Sequence, residues 1–163
     1  MSVPSFLLIL GVILVLQATI VDFIAIFGIT PDLIMMFAIF IGFLNGQREG
    51  AFFGFACGLA MDLFGGSYIG LNAVVMMTAG LLAGVCGKRL YKENSLIVMA
   101  VTFLCAGAAL MVSYILLQFL GVGVPVIQAF TQIILPTALY TSLLVPVFYL
   151  RFFRSLIVLK SEK

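Results

Sequence analysis

The chain contains no histidine and no tryptophan, and only 9% of its 163 residues are charged. A typical soluble domain carries about 25% charged residues. Without histidine there is no imidazole base, no Ser-His or Cys-His nucleophile pair and no His-ligated metal. The three cysteines, Cys57, Cys86 and Cys105, stand singly. They show no C-x-x-C spacing and no zinc signature, and read as small apolar packing residues. No glycine-rich loop carries the lysine of a phosphate-binding loop; the glycines lie inside apolar runs. No basic stretch is interleaved with exposed aromatics, as a nucleic-acid surface requires. These absences argue against an enzyme, a cofactor, a metal site and a nucleic-acid partner.

What the chain has in excess is apolar surface, 64% of residues by the nine-letter count. Apolar runs near 20 residues long recur along it, the mark of a helical membrane protein. The expected fold is an all-α polytopic membrane protein, one integral domain over 1–163. Six spans are expected, at about 5–27, 31–45, 50–64, 68–87, 95–120 and 126–150. The first reads as a retained span, since no basic stretch precedes it and no small-residue cleavage site follows. Thr30 is expected to cap span two, with Pro31 at its first position and Asp32 on the positive dipole end. Asn45 to Glu49 reads as a polar turn. Span three is then roughly 22 Å of helix, short of the roughly 30 Å hydrocarbon core. Ser95 is expected to cap span five, and Pro136 and Pro146 to kink span six.

The charges order this topology. With the N-terminus inside, Arg48, then Lys88, Arg89 and Lys92, then Arg151, Arg154, Lys160 and Lys163 fall on one side. That is all 8 Lys and Arg, as the positive-inside rule requires. Both termini are therefore expected in the cytoplasm. These residues serve as topology anchors near anionic headgroups.

One pattern stands out. Glycine recurs at Gly42, Gly46, Gly50, Gly54 and Gly58, four apart, and the next step lands on Asp62. Gly80 and Gly84 repeat the spacing. Four residues advance a helix by a turn plus about 40°, so such residues share a broad face. Small residues at this spacing let helix backbones approach closely in a membrane. Span three is thus expected to be the central, protein-covered helix. Four polar residues are candidates for function: Asp22, Asp32, Asp62 and Asn72. Asp32 has a ready explanation at its helix start, and Asp22 in marking the outer end of span one. Asp62 has two readings. It bonds a neighbouring helix end or Asn72, or it contacts a ligand or partner from outside. On the first, Asn should replace it almost without cost.

Pro31-Asp32-Leu33, then Gly50-Ala51-x-x-Gly54-Phe55-x-x-Gly58-Leu59-x-x-Asp62, then Gly70-Leu71-Asn72-Ala73, resembles the MreD family of bacterial rod shape-determining membrane proteins. The resemblance implies a non-enzymatic component of the cell-elongation complex in the bacterial plasma membrane. It implies partners in MreC, in MreB filaments and in RodA with its transpeptidase. It also implies a bundle similar to the substrate-binding S components of energy-coupling-factor vitamin transporters. An S component is therefore the competing reading, with a pocket near Asp22, Asp62 and Asn72. Against it, span one lacks the Ala-x-x-x-Ala pattern with which S components dock their coupling subunit. The outer loops are also too short to close over a ligand.

Overall fold

The computed structural model describes residues 11–12, 15, 17, 19, 29–65, 68–88, 90, 94–123 and 125–146. Among them the chain is helical, with no strand. The expected first span is represented by helical residues 11, 12, 15, 17 and 19. Five helices follow: α1 (Leu33–Asn45), α2 (Gln47–Gly65), α3 (Leu71–Cys86), α4 (Ser95–Phe119) and α5 (Val126–Pro146). Of these, α4 and α5 are long and apolar enough by themselves to cross a membrane.

Four boundaries differ from expectation, each for a local reason. First, α1 starts after Asp32, not at Pro31. The Asp32 carboxylate accepts from the Met35 N–H at 2.8 Å, so the cap is two residues later than Thr30. Second, the polar turn after α1 shrinks to one residue. Gly46 takes φ +111°, and Gln47, Arg48 and Glu49 already lie in α2. A positive φ is open to glycine at no steric cost, which lets the helix end abruptly. Hence α2 has 19 residues, about 28 Å, and the expected shortfall largely disappears. Third, Asn94 rather than Ser95 caps α4, accepting from the Leu96 N–H. Fourth, Pro136 lies within a continuous α5, preceded by a π turn at Phe130–Ile134. There the Leu135 N–H donates to the Phe130 carbonyl, five residues back. Proline cannot donate to the carbonyl four residues earlier and its ring crowds it; the wider turn accommodates both. Pro146 is the last residue described in α5.

The most enclosed helix is α1, not the expected span three. Ten of its 13 residues are buried, from Leu33 to Phe43. Its Met35, Met36, Ile39, Phe40 and Phe43 pack with Val75 and Ala79 of α3, Val98 and Ala106 of α4, and Ala138 and Val145 of α5. On its other side, Ile34, Ala38 and Ile41 meet Phe53 and Cys57 of α2 and Met76 of α3. By contrast α2 is one-sided, with Phe52, Phe55, Leu63 and Phe64 exposed. At about 20 Å, α1 is too short to span the core alone. Being enclosed, it has no need to match the lipid.

Candidate functional site

Helices α2 and α3 run antiparallel and meet backbone to backbone. A Cβ placed on Gly84 would overlap Gln47; on Gly54, the Met76 carbonyl; on Gly58, Asn72 and Ala73. Between these contacts lies a three-helix node. A Cβ on Gly42 of α1 would overlap the Gly80 carbonyl, one on Gly50 would overlap Gly42, and one on Gly80 would overlap the Gly50 carbonyl. Every one of these approaches is closer than 3.0 Å, a spacing real Cβ atoms essentially never show. Gly87 extends the seam onto the Phe43 carbonyl. Gly46 differs from its neighbours in the series. Open space surrounds the position of its Cβ, and its glycine serves the positive φ of the α1–α2 turn.

At the far end of the seam, one turn beyond Gly58, Asp62 is 1% exposed. Its Oδ2 accepts from the Gly70 N–H at 2.8 Å and the Ala73 N–H at 3.1 Å, and its Oδ1 from the Asn72 N–H at 3.2 Å. The start of α3 explains why. Its N-cap is Gly70, at φ +97°, which offers no side-chain acceptor. The first N–H groups of a helix have no partner within it. Here the preceding helix supplies one, and a carboxylate also suits the positive end of the dipole. Asn72 enters the site through its backbone N–H.

A second polar cluster tops α1. The Gln17 Oε1 accepts from the Leu33 N–H at 3.0 Å, and its Nε2 donates to the Pro31 carbonyl at 3.4 Å. The Asp32 N–H donates to Oγ1 of Thr141, which is buried on α5. Three segments far apart in sequence thus meet at one helix start. Asp32 belongs to this cluster and not to that of Asp62, and the sequence expectation did not include Thr141. Its only prior signal is a hydroxyl pair, Thr141-Ser142, inside an apolar run.

A family model described as rod shape-determining protein MreD matches residues 2–157. The chain belongs to the MreD family. Comparison with curated proteins and with solved structures gives no match. MreD is a membrane-protein family of the rod-shape machinery, in keeping with the two membrane-capable helices. The MreD match runs across the glycine seam, the Asp62 cluster and both long helices alike. Among the described residues, no group of His, Cys, Asp or Glu is placed to hold a metal ion. Of the charged residues expected to anchor the topology, Arg48 and Lys88 are exposed. Arg89, Lys92, Arg151 and Arg154 lie outside the described residues, as does Asp22.

Proposed function

We propose that the chain is a non-enzymatic membrane scaffold of the bacterial cell-elongation complex. It binds MreC directly, and through it or beside it the MreB filaments and RodA with its transpeptidase. The observation that carries this reading is the use made of Asp62. The polar residue best placed to greet a ligand has its carboxylate oxygens occupied by three backbone N–H groups of its own chain. A seam of backbone contacts also makes α1, α2 and α3 a stiff unit, a fitting base for other membrane helices to pack on. Deleting the protein is expected to turn rods into round cells. In mild detergent, the tagged chain is expected to retain MreC. Rods of normal shape that newly need one vitamin would instead indicate an S component.

The proposed topology has six spans with both termini in the cytoplasm. Reporter fusions at Lys163 and at Gly121 should then report opposite sides of the membrane, because the basic residues are retained inside. Two fusions on the same side would rule out this count.

A further inference from the structure

The two faces of α5 differ in character. Ala129, Ile134, Ala138, Thr141, Ser142 and Val145 are buried. Gln128, Gln132, Leu135, Leu139 and Leu143 are exposed, and in the first turns so are Val126, Ile127, Phe130, Thr131 and Ile133. Gln128 and Gln132 stand four residues apart, and Leu135, Leu139 and Leu143 continue the exposed positions toward the other end of the helix. Leucines alone on such a face would indicate only lipid. The glutamines add a demand. At 21 residues, α5 is about as long as the hydrocarbon core is thick. Gln132 then lies roughly 9 Å from the Val126 end. No hydrogen bond within the described residues engages either glutamine amide. An amide turned toward hydrocarbon lacks what water would give it, and glutamine between membrane helices acts as a polar link. The π turn at Phe130–Ile134 holds more residues per turn than an α-helix. It therefore brings Gln132 more nearly above Gln128 than the ordinary offset would.

We propose that this face of α5 pairs with the same face of a second copy, forming a parallel homodimer. Two features select a second copy over another helix. An amide carries both donor and acceptor, so it complements itself. Two copies inserted alike are related by a two-fold axis along the membrane normal, an isologous contact. That rotation preserves depth, so each glutamine meets its counterpart without adjustment. A different partner would need polar groups at both depths.

Cysteine cross-linking in native membranes tests this. Gln128→Cys and Gln132→Cys should each give, on oxidation, a band at twice the 17.6 kDa chain mass. Leu135→Cys, deeper on the same face, serves if a glutamine variant does not accumulate. Leu104→Cys, on the exposed face of α4, should not cross-link. All are made in a Cys86→Ser background, because Cys57 and Cys105 are buried but Cys86 is partly exposed, and that background alone should not cross-link. A band of a different mass, no band from normally accumulating variants, or an equal band from Leu104→Cys would overturn the proposal. In lipid vesicles, energy transfer between labelled copies should show dimer affinity falling about tenfold for the Gln128→Leu, Gln132→Leu double variant. Unchanged or tighter association would overturn it equally.

Discussion

Gly54→Leu and Gly58→Leu are expected to leave almost no protein in the membrane. Overpacking costs about 1–3 kcal/mol where neighbouring side chains can move aside. Here the neighbours are the Met76 carbonyl and the backbone of Asn72 and Ala73. Backbone yields only if α2 and α3 separate, so the cost for leucine lies above that range. Gly54→Ala already places an atom inside the carbonyl and should lower the melting temperature of the purified protein. Gly107 gives the contrast. It lies inside α4 with nothing within 4 Å of a Cβ. Gly107→Ala should therefore stabilise by about 0.8–1 kcal/mol, through helix propensity alone. Membrane accumulation by immunoblot and melting in detergent measure both arms. Wild-type levels for both leucine variants would mean that the seam opens in the membrane.

Asp62→Leu should come next in severity. It removes the acceptor for three N–H groups at once, and a buried donor left without a partner costs about 1–3 kcal/mol. Asp62→Asn, near-neutral on the sequence reading, should also be harmful. The two carboxylate oxygens divide the three bonds, Oδ2 taking Gly70 and Ala73, Oδ1 taking Asn72. An amide has one oxygen and one NH₂. With its oxygen toward Gly70 and Ala73, it turns a donor on the Asn72 N–H; flipped, it loses two bonds. The asparagine variant should thus melt between the wild type and the leucine variant, with shape lost in proportion to the protein lost. An asparagine variant that accumulates and melts like wild type yet gives round cells would transfer the role of Asp62 to an external contact.

Helix existence was legible because apolar runs and glycine spacing are local properties. Which helix sits inside was not. In a chain this apolar, a lipid-facing and a protein-facing side look alike, so α1 and α2 could not be ranked by composition. By spacing alone the glycine series reads as one face with one purpose. Gly42, Gly50, Gly54 and Gly58 meet other backbones, but Gly46 is there for its φ. Spacing cannot separate those two uses of a missing Cβ. Asp62 was legible as one residue with two readings, because what decides between them is an eight-residue return of the chain to Gly70. The Asp32–Thr141 contact was beyond reach, since 109 positions separate its partners. The cap positions missed by one or two residues, Thr30 for Asp32 and Ser95 for Asn94, are ambiguities among adjacent good caps.

The reversal at Gly46 bears on how the polypeptide enters the bilayer. Two arms of 13 and 19 residues are joined by a single residue, so there is no slack for the first to depart into lipid while the second is still being synthesised. The two are expected to enter the bilayer together, as one hairpin. That hairpin carries Gly42 against Gly50 from the outset, while the Gly80 side of the node waits for α3 to emerge. Until α3 follows, the Gly42 and Gly50 backbones lack the Gly80 contact that completes the node.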